Sequence, residues 1–331
     1  MSNPFLSPKA HPGDGTIHLA LLPPSTPRLR TLNYQYPLKL VSPAPSRAGD
    51  DLVHTVYLLT YGGGLVAGDT IDLKVDVERK TKLVLLTQGS TKLFKSLDRD
   101  LVSKQCMTVN LDPGAALCYL PDPVQPFEQS CFEQQQIYNV TIPTAEETQT
   151  GSLCVLDWVS NGRPANGENW SFFHYRSKNE VFLRQSDGKQ RLLLRDSVLL
   201  DDREDDGSIA ARMDDLAVFG TLIIYGPFFR RLGQFFMDEF KALPRIGGRK
   251  WDSGSDSGEE EAGPHILRRL ERQRREAEDR VLWSAADVRG CVVVKLGARE
   301  VEGGRKWLRD MLTEEGSVRE QFGERALLCL R

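Results

Sequence analysis

Thr70-Ile71-Asp72-Leu73-Lys74-Val75-Asp76-Val77 places Ile71, Leu73, Val75 and Val77 on one side of an extended chain and Asp72, Lys74 and Asp76 on the other. Strict alternation is the period of a half-buried β-strand and is incompatible with one apolar helix face. The same period recurs at 16–22, 52–61, 82–87, 105–111, 115–120 and 132–142. It continues at 153–159, 170–176, 180–185, 190–195, 216–225 and 291–296. Turn clusters such as Asp112-Pro113-Gly114, Asn161-Gly162-Arg163-Pro164 and Ser186-Asp187-Gly188 separate these runs. Short strands with turn punctuation predict a mainly β, large strand-rich architecture, antiparallel-rich and not built of alternating βαβ units.

Helical signals gather in the last third. Phe229, Leu232, Phe235, Phe236, Phe240 and Leu243 recur at helical spacing up to Pro244, which predicts an amphipathic helix on the sheet. Its aromatic stripe serves either the core or a partner contact. Within 247–263, the stretch DSGSDSGEEE carries only acidic charge and no apolar side chain, so it is expected to be a disordered surface insertion. A charged helix is expected over 264–282, and closing helices over 305–331. The whole of 1–331 reads as one domain.

Length allows one large β domain with a sizeable core. Lys plus Arg number 43 against 46 Asp plus Glu, for a net charge of −3, so no global positive field favours nucleic acid or anionic membrane. The N-terminal MSNPFLSPKAHPGDG lacks the pattern of a secretory signal. The longest apolar run, 216–229, contains Gly226 and Pro227 and falls short of the roughly 20 residues of a membrane span. Six cysteines without a C-x-x-C pair fit free thiols in a reducing compartment, and a cytoplasmic location is expected.

Few residues announce chemistry. Gly62 to Asp69 (GGGLVAGD) invites a phosphate-cradle reading, but neither dinucleotide nor P-loop spacing is present and a period-two strand follows, which favours a turn or bulge. Thr87, Gln88, Ser90, Thr91 and Lys92 end a strand, as a polar site or as ordinary turn chemistry. Pro121, Pro123 and Pro126 deny ladder donors and force an extended edge or crossover. Five histidines stand apart from one another and from the cysteines at no metal-ligand spacing. Asp69, Asp122, Asp157 and Glu168 offer weak oxygen ligands or the lining of a polar passage. No nucleophile elbow is present, so the residues by themselves suggest a scaffold more than an enzyme.

YGGGLVAGD from Tyr61, LTQGSTKLFKS from Leu86, YLPDPVQPF from Tyr119, NGRPANGENW from Asn161 and RVLWSA from Arg280, in that order, resemble the UreD (UreH) urease accessory protein family. The resemblance runs from about Tyr34 to the C-terminal helix. The DSGSDSGEEE stretch with its charged helix departs from the family as an insertion, and LTQGS stands where the family often reads TTQ followed by Ala or Ser.

The resemblance implies a non-catalytic urease maturation chaperone with a β-helix-like body. Such a protein binds apo-urease and, with UreF, recruits the GTPase UreG, so that nickel reaches the urease metallocentre as UreG hydrolyses GTP. No tightly bound cofactor is implied; nickel passes in transit. The positions matching family motifs are Gly62, Gly63, Gly64, Gly68, Asp69, Thr87, Gln88, Thr91 and Lys92, then Leu120, Pro121, Pro123, Pro126, Phe127, Gly162, Arg163, Gly167 and Glu168. Most serve the fold, with Asp69 and Glu168 as passage candidates because carboxylates relay a divalent cation without trapping it. Phe229, Leu232, Phe235, Phe236 and Phe240, with the last two helices, are the partner-contact candidates. Two rivals remain: an adaptor that never contacts nickel, and a carbohydrate-active β-helix enzyme with paired carboxylates.

Overall fold

The computed structural model describes residues 11–144, 149–185, 188–203, 207–243 and 264–331; the acidic insertion expected over 247–263 lies outside them. The chain opens with β1 (Asp14–Leu22), β2 (Thr26–Tyr34), β3 (Leu38–Val41), β4 (Ser46–Ala48) and β5 (Asp51–Thr60). Three successive triplets follow. They are β6 (Gly64–Leu65), β7 (Thr70–Val77) and β8 (Lys82–Leu86), then β9 (Lys92–Leu93), β10 (Ser103–Leu111) and β11 (Ala116–Tyr119), then β12 (Gln125–Pro126), β13 (Cys131–Thr141) and β14 (Ser152–Ser160). After these come β15 (His174–Arg184), β16 (Gln190–Asp201), the short α1 (Ile209–Arg212), β17 (Val218–Tyr225), α2 (Arg230–Lys241) and α3 (Pro264–Glu278). The chain closes with β18 (Leu282–Val288), β19 (Cys291–Ala298), α4 (Val301–Glu315), α5 (Ser317–Phe322) and a 3-10 segment, Glu324–Leu330.

Each triplet visits three sheets in the same order. Its first strand joins the small sheet β12-β9-β6, its second the seven-stranded sheet β16-β15-β13-β10-β7-β1-β2, and its third the nine-stranded sheet β18-β19-β17-β14-β11-β8-β5-β3 with β4 on β5. Strands of successive passes therefore pair parallel: β7 with β10, β10 with β13, β13 with β15, and β5 with β8, β8 with β11, β11 with β14.

This corrects the antiparallel-rich expectation. Antiparallel pairing is confined to the flanks, in β1 with β2, β15 with β16, β3 and β4 with β5, and the run β14-β17-β19-β18. A parallel neighbour needs a long crossover, commonly a helix. Here the crossover from β7 to β10 runs through β8 and β9, so strands themselves make the return.

Two cores result. Inward residues of both large sheets, among them Leu73, Val75, Met107, Val109, Phe132, Leu83, Leu85 and Val155, form the first. The other face of the nine-stranded sheet, with Val84, Leu86, Leu120, Leu156 and Trp158, meets the helices through Phe229, Phe236, Trp307, Leu308 and Phe322. Burial on both faces explains why β8 and β14 read as nearly unbroken apolar runs.

The partner-contact assignment changes on the same grounds. Phe229, Leu232 and Phe236 are 0% exposed, with Phe229 stacked on Phe322 at 5.3 Å and Phe236 edge-on to Trp307 at 6.2 Å. These three fasten α2 to the sheet, while Phe235 and Phe240 are half-buried at the margin of that core. The charged helix stops at Glu278, and 282 onward is strand β18. Arg272 lies buried in α3, paired with Glu239 of α2 and Glu314 of α4. Of the closing helices expected over 305–331, α4 forms, but the rest is interrupted at Gly323 (φ 79°), splitting α5 from the 3-10 segment. Among the described residues no helix is long and apolar enough to cross a membrane.

Candidate functional site

β14 alternates its side chains between the two cores. Leu153, Val155 and Val159 face the first, and Asp157 occupies the position between Val155 and Val159. A carboxylate thus stands where packing calls for an apolar side chain. Its Oδ1 accepts from Gln134 Nε2 at 2.8 Å, and its Oδ2 accepts from Ser177 Oγ and from Asn179 Nδ2 at 2.6 Å. The parallel register of β13 and β15 makes this possible, setting Gln134 beside Ser177 and Gln136 beside Asn179. All three donors are neutral. Burial pushes the Asp157 carboxyl above its ordinary value, against the opposing effect of the hydrogen bonds. Asn179 Oδ1 is buried with no hydrogen-bond partner among the described residues.

A second carboxylate follows β11. Asp122 Oδ2 accepts from Thr87 Oγ1 at 3.0 Å and from the Gly89 N–H at 2.9 Å, while the Asp122 N–H donates to Thr87 Oγ1 at 2.8 Å. Arg305 of α4 lies 3.2 Å from Asp122 Oδ1 and donates through Nη1 to the Cys329 carbonyl at 3.0 Å. Cys329 Sγ donates to the Thr87 carbonyl at 3.3 Å, and burial pushes its thiol up to about 12. For Thr87, the polar-site and turn-chemistry readings therefore coincide.

Asp122, Asp157, Thr87, Gln105, Gln134 and Gln136 line one interior cavity of ≈ 40 Å³ together with Leu73, Met107, Phe132 and Trp158. A single water needs about 10–15 Å³ and a few polar partners, so this space suits water or a small cation. Its donors are carboxylate, amide and hydroxyl oxygens, hard ligands that hold a divalent cation without thiolate or imidazole strength. Among the described residues no group of three His, Cys, Asp or Glu is placed to hold a metal ion.

The two passage candidates of the sequence lie elsewhere. Asp69 closes the turn between β6 and β7, its Oδ2 accepting from the Val66 N–H at 2.9 Å. Glu168, in the connection from β14 to β15, accepts from Arg163 Nε at 2.9 Å and Nη2, and from the Glu128 N–H at 3.2 Å. Arg163 in turn lies 3.7 Å over the Phe127 ring, and its hydrogen bond holds the Glu168 carboxyl below the usual range. Neither carboxylate lines the cavity.

The other motif positions shape backbone. Gly64 passes so close to β9 that a Cβ would sit 2.3 Å from the Lys92 carbonyl oxygen. Gly162, at φ +102°, meets the Pro126 carbonyl in the same way at 2.7 Å. Gly62, Gly63, Gly68 and Gly167 occupy turns, and Pro121 accepts from Trp158 Nε1 at 2.9 Å. Gln88 and Lys92 are exposed, the Thr91 carbonyl accepts from the Gln125 N–H, and Leu120, Pro123 and Pro126 are buried. Sequence reasoning passed over Gln134, Gln136, Ser177, Asn179 and Arg305. The available signal was phase: Gln134 and Gln136 share the inward side of β13 with Phe132 and Tyr138.

A family model described as the UreD urease accessory protein matches residues 13–330. The chain belongs to the UreD family. Its similarity extends to urease accessory protein 4 of Cryptococcus neoformans var. grubii, 30% identical over 360 aligned positions that cover 98% of each chain. A urease accessory protein UreD of Anaeromyxobacter sp. is 30% identical over 276 positions, 83% of this chain and 76% of the relative. An uncharacterized ureD-like urease accessory protein of Schizosaccharomyces pombe is 29% identical over 286 positions, 86% and 88% of the two chains. UreD membership assigns the chain a role in urease maturation.

Proposed function

We propose that this UreD-family chain is a non-catalytic chaperone that binds apo-urease and, with UreF and the GTPase UreG, supports nickel delivery and assembly of the urease metallocentre. Nickel is cargo on this reading, and it moves through the interior between the two large sheets. The observation that carries the proposal is Asp157, a carboxylate at a core position that receives only neutral donors and lines a cavity shared with Asp122. Asn179 Oδ1 adds an acceptor without a donor among the described residues. A carboxylate so placed attracts a divalent cation, and oxygen ligands release it again; a conducting site needs both properties. Asp69 and Glu168 are set aside from this role because their carboxylates hold turns and an arginine outside the cavity. GTP hydrolysis falls to UreG, since the sequence lacks a P-loop.

The test is reconstitution of apo-urease with UreF, UreG, GTP, nickel and bicarbonate, with and without this chain. Activation is expected to require the chain and to fall in Asp122→Asn and Asp157→Asn. Activation that requires the chain but ignores both substitutions would reduce it to an adaptor that never contacts nickel. No dependence on the chain, with partners known to be competent, would end the proposal.

A further inference from the structure

We propose that Arg305 is the resident counter-ion a divalent cation must displace to reach Asp122, so that this side chain controls entry to the interior cavity from the helical side of the protein. The inference rests on the cation-transit reading given above.

The two interior carboxylates are held differently. Asp157 is bonded by an amide, a hydroxyl and a second amide, so a cation arriving there meets no fixed positive charge among its hydrogen-bonding partners. Asp122 has Oδ2 engaged by Thr87 and Gly89, and Oδ1 faces the Arg305 guanidinium. Both partners are largely withdrawn from water, with side-chain exposures of 7% for Asp122 and 18% for Arg305, so the pair is poorly screened. While it stands, an incoming cation faces a like charge at contact distance.

Arg305 also has somewhere to go. Its Nε is buried without a hydrogen bond among the described residues and lies 3.6 Å from Glu302 Oε2, one turn back on α4, a carboxylate that is 71% exposed. A small swing carries the guanidinium from the interior anion toward the exterior one, leaving Asp122 Oδ1 open. The inner position is reinforced by the end of the chain, where the Cys329 carbonyl accepts from Arg305 Nη1 and Cys329 Sγ donates to the Thr87 carbonyl. Arg305, the 3-10 segment and Asp122 therefore form one closure.

Nickel chloride titrated calorimetrically into the full-length chain tests this directly. Arg305→Gln is expected to tighten nickel binding by about tenfold or more, because a like charge is removed from the site. The gain should vanish in the Arg305→Gln/Asp122→Asn double variant and be absent in Arg305→Lys, which keeps the charge. A folded Arg305→Gln protein whose affinity stays within about twofold of wild type overturns the proposal. Should Arg305→Gln fail to fold, Glu302→Gln replaces it. Loss of the outward anion is then expected to slow nickel association in stopped-flow mixing, and an unchanged rate overturns the proposal. Failure of the underlying reading looks different: Asp122→Asn and Asp157→Asn would both leave urease activation intact. Activation lost in those variants, with nickel affinity indifferent to Arg305, removes the counter-ion role and leaves transit standing.

Discussion

Asn179 Nδ2 donates to Asp157 Oδ2 at 2.6 Å, joining β15 of one large sheet to β14 of the other through the middle of the core. The contact places a carboxylate at the centre of the body and fixes it with groups that do not neutralise it.

Stability should reflect that carboxylate's burial. Burial raises the folded-state pKa of Asp157 above its unfolded value of 3.8. Below the unfolded value both states are protonated and no penalty arises. As pH rises through the window between the two values, the unfolded chain ionises first and the native state loses relative stability. Comparing wild type with Asp157→Asn in urea at about pH 4 and about pH 8 cancels the other titrating groups. The difference is expected to shift in favour of Asn at the higher pH; a pH-independent difference would contradict it.

Phe236 and Phe240 share α2 and differ in burial. Phe236→Ala should cost about 3–5 kcal/mol, the usual penalty for removing a buried aromatic ring, whereas Phe240→Ala should cost clearly less. Guanidinium denaturation separates them. Equal and small losses would restore the stripe as an exposed contact surface.

Gly63 and Gly64 are adjacent yet demand glycine for different reasons. Gly63 sits at φ +76° with open space around its Cα, so Gly63→Asn, a residue that enters the left-handed region readily, should be tolerated. Gly64 has ordinary extended backbone but faces the Lys92 carbonyl, which belongs to a strand and cannot retreat cheaply. Gly64→Ala should therefore cost about 1–3 kcal/mol or more in thermal or chemical unfolding.

Arg163 gives a test of side-chain geometry. Its guanidinium both forks onto Glu168 and lies over the Phe127 ring, and a single ammonium cannot make the two-pronged contact while covering the ring. Arg163→Lys is expected to melt at nearly the temperature of Arg163→Ala, both below wild type. Because Arg163 holds the Glu168 carboxyl low, the deficit is fully present above the ordinary glutamate value of 4.5 and fades as pH falls through the lowered one.

Sheet-forming residues were legible wherever alternation was strong. β7 is the clearest case, its four apolar residues all buried. Strand direction was not legible, because Thr70–Val77 alternates identically whether β10 lies parallel or antiparallel to it. β2 escaped notice because its side chains are half-exposed along an edge that starts at Thr26-Pro27. β18 was passed over beyond the charged helix expected to 282, because most of its side chains are exposed and no apolar run marks Leu282–Val288 as a strand. Asp157 was visible as a lone charge in LCVLDWVS, but its meaning depends on Gln134, Ser177 and Asn179, which only the register of β13 and β15 brings together. Asp69 and Glu168 stood out because they fall in glycine-rich motifs, and such motifs chiefly report on turns.

The order in which the chain leaves the ribosome interacts with the layering. Each parallel pass finds its neighbour already synthesised and can pair at once. The outer face of the nine-stranded sheet has no such luck: Val84, Leu86, Cys118, Leu120, Leu156 and Trp158 await Phe229, Phe236, Trp307 and Phe322, which are synthesised after them. A nascent chain halted before Phe229 would present that face bare to water and to other nascent chains. During synthesis the protein is therefore most exposed to aggregation on the side that its own last helices later seal.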